Sequence, residues 1–205
     1  NDLTVYEELL TKETAQINFI EFVKLMWPEF ILGRHHKIMA EAFERVLKGE
    51  CKRLIVNMPP RHTKSEFASY LLPAWFLGRF PHKKVIQTSH TAELAVGFGR
   101  KVRNLVGQGE YSSIFPDTAL QADSKAAGRW IVMTRWSKRD LTGKVIKSSI
   151  QRDGEEWEVI EFPAIMPSGN ALWPEFWSIE ELSTLRNELP HSKWSAQYQQ
   201  DPTSF

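Results

Sequence analysis

Cysteine is nearly absent from the chain, with Cys51 alone among 205 residues. One thiol cannot close an internal disulfide, so the fold is expected to rest on its core and to suit a reducing intracellular setting. Long apolar runs are missing as well. Nothing approaches the ~20 residues needed to cross a bilayer, and the N-terminus lacks a basic-then-apolar leader, so no membrane partner is expected. An excess of one charge is also missing. With 26 Lys and Arg against 25 Asp and Glu, any affinity for nucleic acid must come from local patches rather than a global field. Internal repeats and low-complexity tracts are absent. What remains, 42% hydrophobic and 25% charged, is the composition of one folded domain of medium size.

Apolar periodicity organises that chain. A short acidic helix is expected over Asn1 to Lys12, and a second over Ala15 to Trp27 with Ile17, Ile20, Phe22, Val23, Met26 and Trp27 mostly on one face. His36 to Lys48 repeats the pattern and is closed by Gly49. Ser65 to Phe80 reads as an apolar helix that Pro73 should kink or split near Leu72. Lys84 to Ser89 reads as a strand, and Ala92 to Val106 as a helix with Leu94, Ala95, Phe98, Val102 and Leu105 inward. Tyr111 to Pro116 reads as a short helical turn, while Trp130 to Thr134 and Trp157 to Phe162 read as further strands. Ser137 with Asp140 and Ser178 with Glu181 form capping boxes for helices towards Ile150 and Leu189, and Pro190 to Gln200 reads as a final helix. Strands alternating with helices are the rhythm of a parallel sheet covered by helices, an α/β fold.

The stretch from Leu54 to Ser65, LIVNMPPRHTKS, has the layout of a phosphate-binding loop: a buried strand, a bend, and Lys64 and Ser65 at the head of a helix. Backbone N–H groups of such a loop cradle phosphates; Lys64 would reach the β/γ-phosphates of ATP, and the Ser65 hydroxyl would hold the accompanying Mg2+. The helix N-terminus adds donors and a favourable dipole. Against the general pattern G-x-x-x-x-G-K-[ST], Met58 and Thr63 stand where glycines usually do. The plainer reading is a strand-to-helix turn with an exposed lysine and a capping serine. Thr63 is the more irregular residue. A β-branched side chain fits poorly where positive φ is wanted, at a cost on the order of 1 to 3 kcal/mol that would weaken nucleotide binding and that glycine would relieve.

Several stretches together resemble one family, the large terminase subunits of tailed bacteriophages. They are MPPRHTKSE at Met58 to Glu66, QTSHTAELAVGFGRKVRNLV at Gln87 to Val106, YSSIFPDT at Tyr111 to Thr118, VMTRWSKRDLTGKVI at Val132 to Ile146, ALWPEFWSIEELSTLR from Ala171, and SAQYQQDP ending at Pro202. The resemblance implies a P-loop NTPase of the additional-strand, RecA- and helicase-like type, with a mainly parallel central sheet flanked by helices. It implies an ATPase motor that hydrolyses ATP with Mg2+ to drive double-stranded DNA into a procapsid. The implied partners are the portal protein, the small terminase subunit and further copies in a ring, where a neighbour supplies an arginine to each site. The implied location is the host cytoplasm, at the procapsid portal. The expected organisation is N-terminal helices over 1–50, an ATPase core over 51–162 and a helical part over 163–205, without the nuclease that family members carry towards their C-terminus.

One departure bears on chemistry. Hydrolysis of this type needs an apolar strand ending in an acid. In the family that strand falls between an AAGRW-like and a VMTRW-like segment, which here abut at Trp130 and Ile131, so residues are expected to be missing at that junction. A crossover between neighbouring parallel strands needs about a dozen residues or more, which Gln121 to Trp130 hardly supplies. The best imitation, Val159-Ile160-Glu161, lies late in the chain and runs straight into Phe162-Pro163.

By the same resemblance Pro59, Pro60, Arg61, His62, Thr63, Lys64, Ser65 and Glu66 form the nucleotide-binding stretch, and Arg61 would touch the γ-phosphate unless it is a solvated loop arginine. His35 and His36 precede the first strand where the family and its helicase relatives place an adenine contact; capping, surface exposure or a metal are the alternatives. Thr134 would couple phosphate state to movement, or end a strand by bonding backbone. Lys138, Arg139, Lys144 and Lys147, and separately Arg100, Lys101 and Arg103, would follow a DNA backbone or form solvated faces. The tryptophans are expected as core and loop anchors. Two other functions stay open, a helicase-like DNA translocase and a nucleotide-binding module without hydrolysis.

Overall fold

The computed structural model describes residues 2–120, 132–133, 147 and 157–202. The chain forms two compact units, Asn1–Phe30 with Ser65–Trp130, and Ile31–Lys64 with Ile131–Phe205. Both are discontinuous in sequence. Parallel pairing makes this possible, because two parallel neighbours cannot be joined by a tight turn.

The first unit is helical: α1 (Asp2–Ile17), α2 (Phe19–Met26), a π-helical segment (Glu66–Leu71), α4 (Leu72–Arg79), α5 (Ala92–Val106) and α6 (Gly109–Ile114), while α3 (Arg34–Lys48) belongs to the other unit. The helix expected to start at Ala15 instead begins at Phe19. Asn18 is the reason, since its side chain accepts the Glu21 N–H at 3.1 Å and caps α2. Phe19, Phe22, Phe67, Trp75 and Tyr111 are fully buried here. Phe19 meets Phe67 edge-on at 5.0 Å, the Trp75 indole N–H donates to the Ala15 carbonyl at 2.9 Å, and the Tyr111 hydroxyl donates to the Ala74 carbonyl at 2.7 Å.

Pro73 divides its helix as expected, with the π-helical segment ending at Leu71 and α4 starting at Leu72. Proline has no N–H for the carbonyl four residues back, that of Ser69. The Gln87 side-chain amide donates to that carbonyl instead. Lys84 to Ser89, expected as a strand, is extended without a ladder partner among the described residues; Val85 and Gln87 turn inward and Ile86 outward. A period of two records alternation of faces, and among the described residues no strand lies alongside to complete the pairing. On α5, Val102 and Leu105 are buried as expected, but Leu94 is 51% exposed.

The second unit holds α3 (Arg34–Lys48), the strands β1 (Leu54–Asn57), β2 (Val132–Met133) and β3 (Glu158–Glu161), α7 (Ile179–Glu188), the short α8 (His191–Lys193) and a π-helical segment (Trp194–Tyr198). The sheet is parallel, in the order β2-β1-β3, with Val56 opposite Val132 and Asn57 opposite both Met133 and Glu161. The fold is therefore mixed α/β with a small parallel sheet, and Trp130, Ile131 and Thr134 of the expected third strand lie outside the described residues. So does nearly all of the helix expected from Ser137.

α3 ends where expected, at Gly49 with φ of 78°, and Arg45 near its C-terminus makes a two-pronged pair with Glu158 at the start of β3. That pair holds the carboxyl of Glu158 below its usual range. The Ser178 capping box is complete, with both reciprocal bonds to Glu181 made. The final helix is only partly α-helical. Its end is clamped to the segment after β3, because the Gln199 amide pairs with both backbone groups of Ile165 at 3.0 and 3.1 Å. Trp194 and Tyr198 stack at 5.0 Å over Ala164, Ala171 and Leu182, a small core of their own.

Trp75 fills the centre of the first unit's core and carries its own hydrogen bond. Trp75→Ala should lower stability by about 3 to 5 kcal/mol in denaturant melts.

Candidate phosphate-binding loop

The loop from Met58 to Lys64 leaves the carboxyl end of β1, the central strand. In open parallel sheets, ligands sit beyond the carboxyl ends of the strands, where successive connections leave to opposite sides. Here the chain goes from β1 to β2 on one side and then to β3 on the other. Met58 and Pro59 are buried beneath the loop, and Arg61 is exposed above it.

Two residues of the loop have left-handed backbone, Arg61 and Thr63, each at φ of 60°. Turns of alternating hand gather backbone N–H groups into a concavity that suits an anion. Thr63 therefore takes the positive φ expected of the position, despite its β-branch. Lys64 closes the loop on itself, its ammonium donating to the Met58 carbonyl at 3.3 Å. Burial lowers the Lys64 pKa to about 8. A desolvated ammonium of this kind gains when an anion comes to it.

Three histidines, His35, His36 and His62, are fully buried around the loop, each at 0% exposure. His36 accepts the Gly33 N–H on Nδ1 at 2.9 Å, so its proton sits on Nε2, which donates to the Thr63 hydroxyl at 2.6 Å. Thr63 in turn donates to the His62 carbonyl at 2.6 Å. His62 takes the opposite tautomer, since a carbonyl only accepts: its Nδ1–H donates to Pro60 at 2.8 Å. Trp173 packs against all three rings, with centroids 4.8 to 6.3 Å away. Neither ring nitrogen of His35 has a hydrogen bond of good geometry, and His62 Nε2 and the Trp173 and Trp177 indole N–H groups are buried without one. The Leu172 backbone is near enough to His35 to favour its charged form slightly, without closing a good bond.

Burial is the chief cause that lowers all three histidine pKa values, His35 to about 3 and His36 to about 2; neighbouring histidines add to it at His35 and His36, and the Lys64 charge adds to it at His62. All three are neutral at pH 7. Among the described residues, no group of three or more His, Cys, Asp and Glu is placed to hold a metal ion.

Other expected site residues are more dispersed. Ser65 is exposed and begins the first unit's second stretch. Glu66 turns its carboxylate to Lys101 at 2.8 Å, and Lys101 also lies over the Tyr70 and Phe98 rings, so this lysine of the expected DNA-binding cluster is engaged within its own unit. Arg100, Arg103 and Lys147 are exposed; Thr134, Lys138, Arg139 and Lys144 fall outside the described residues.

Two neighbours of the loop come from distant parts of the chain. Glu161, at the carboxyl end of β3, accepts the Asn57 side-chain amide at 2.9 Å, which places a carboxylate beside the residue that leads into the loop. Tyr198, from the YQQ stretch, lies close enough to Arg61 for that charge to oppose the upward push that burial gives its hydroxyl pKa. The first depends on strand register, the second on chain return, and neither is local in sequence.

Because His35 and His36 stay neutral when folded but ionise below about 6.5 when unfolded, the unfolded chain takes up more protons as pH falls. Stability is therefore unaffected by these groups above pH 6.5 and lost below it. The expected slope is on the order of 1 to 3 kcal/mol per pH unit between pH 6 and 4, shallower in His35→Phe, by urea unfolding across pH.

No protein-family model, curated protein or solved structure matches the chain.

Proposed function

We propose that the chain is an ATP-binding and hydrolysing domain of P-loop type, the motor domain of a terminase-like large subunit that moves double-stranded DNA. The observation that carries the nucleotide part is the geometry of Met58 to Lys64. It joins the carboxyl end of a central parallel strand, two left-handed residues, and a half-buried lysine folded back over the loop. Lys64 would meet the β/γ-phosphates, the loop N–H groups would cradle them, and exposed Arg61 would reach the outermost phosphate. Mg2+ would arrive with the nucleotide and find the Ser65 hydroxyl, supplying charge neutralisation at the phosphates. The resemblance to terminases carries the DNA part, together with the portal, small-subunit and ring partners and the location at the procapsid.

Glu161 is the candidate acid. The sequence argued against it by its late position and by its running straight into Phe162-Pro163; its place at the carboxyl edge beside β1 supports it as the candidate. Chain order does not govern proximity in a parallel sheet: the register sets Glu161 opposite Asn57. The rival reading, a module that binds nucleotide without hydrolysing it, differs only in whether this carboxylate acts.

Lys64→Ala should weaken MgATP binding about ten- to hundredfold by calorimetry and remove DNA-stimulated turnover. In the unaltered chain, affinity should fall as pH rises through 8, by up to about tenfold per unit, because the Lys64 ammonium must be charged to meet phosphate. Unchanged binding in Lys64→Ala would remove the nucleotide reading. Glu161→Gln should keep MgATP affinity within about threefold while turnover drops about a hundredfold. Equal turnover in this variant would place the acid elsewhere, and no turnover in the unaltered chain would favour the binding module.

A further inference from the structure

Thr63 is a β-branched residue in left-handed backbone, a conformation that persists only where the surroundings hold it. Two hydrogen bonds meet on its hydroxyl. His36 donates from Nε2 at 2.6 Å, and the hydroxyl proton goes to the His62 carbonyl at 2.6 Å. The His36 ring is fixed at its other end by the Gly33 N–H at 2.9 Å, and Trp173 stands edge-on against it at 4.8 Å. Gly33 has ordinary φ of −95°, so glycine is needed there for space rather than conformation. A Cβ at that position would meet Trp173 Cδ1 at 2.7 Å and His35 Cε1 at 2.8 Å. The result is a continuous chain of donors from the N-terminus of α3 to the phosphate loop.

We propose that His36 is a positioning residue for the loop: its Nε2–H holds the Thr63 hydroxyl, and through it the left-handed turn that presents the loop N–H groups to a phosphate. This rests on the nucleotide reading above. It also gives His36 a task other than touching adenine, since the ring is buried and both its nitrogens are hydrogen-bonded inside the protein. Threonine at position 63 is then no mere defect. Glycine would reach the same φ without strain but would have nothing for His36 to hold.

The test compares MgADP binding by calorimetry in the full chain and its variants. His36→Asn keeps an acceptor near Gly33 but cannot reach Thr63, and should weaken binding about tenfold or more. His36→Gln, whose amide can extend towards Thr63, should recover part of the loss. Adding Thr63→Gly to His36→Asn should also restore binding, because glycine holds the turn unaided; a merely structural histidine would not be rescued this way. Should His36→Asn fail to fold, Thr63→Val, which keeps the shape and deletes the hydroxyl, should show the same weakening. Affinity unchanged in His36→Asn and Thr63→Val, with binding abolished in Lys64→Ala, overturns the positioning role and leaves the nucleotide reading intact. Affinity unchanged in Lys64→Ala as well removes both.

Discussion

The second unit depends on one constraint, that a threonine must be kept in left-handed backbone at the point where the loop turns back. Thr63 cannot hold that conformation by intrinsic preference, so its hydroxyl is placed between a donor and an acceptor. The donor has to be neutral, with its proton on the correct nitrogen. That in turn requires the Gly33 N–H on Nδ1 and a dry surrounding, which Trp173 and the other two histidines supply. Three buried histidines, an odd feature taken singly, become consistent once the loop is seen as the thing they support.

Buried polar groups are usually satisfied, so the exceptions carry information. His36 is fully engaged, whereas His35 and the Trp173 and Trp177 indoles lack hydrogen bonds of good geometry. The loop's support is therefore bought with desolvation of its neighbours. The same dryness lowers the Lys64 pKa, which leaves the ammonium ready to gain from an anion. Rigidity of the loop and responsiveness of its lysine follow from one low-dielectric surrounding.

Much of the layout was legible in the sequence because it rests on local chemistry. Leu54 to Asn57 is a short apolar run before a proline bend, Gly49 ends α3 with positive φ, and Ser178 with Glu181 closes its box, each decided within a few residues. Lys84 to Ser89 misled because alternation predicts faces, while a strand also needs a neighbour. Asn18 was passed over because its apolar neighbours continue a helical period that its side chain interrupts. The burial of His35, His36 and His62 was least legible, since histidine is common at surfaces and nothing in its spacing announces a tryptophan returning from more than a hundred positions away.

Glu161 shows where chain order and spatial order part. Read along the sequence, a carboxylate after VI and before Phe162-Pro163 comes too late to serve the loop. Read across the sheet, β3 lies directly beside β1, and the Asn57 amide holds the carboxylate at the strand's carboxyl edge. A parallel sheet sends successive connections to either side of its central strand, so residues far apart in sequence end at one edge with the loop between them. The loop's support comes from before β1, through His36, and its candidate acid from after β3. The candidate loop thus meets residues from both directions of the chain, and neither contact is predictable from the twelve residues that first mark it out.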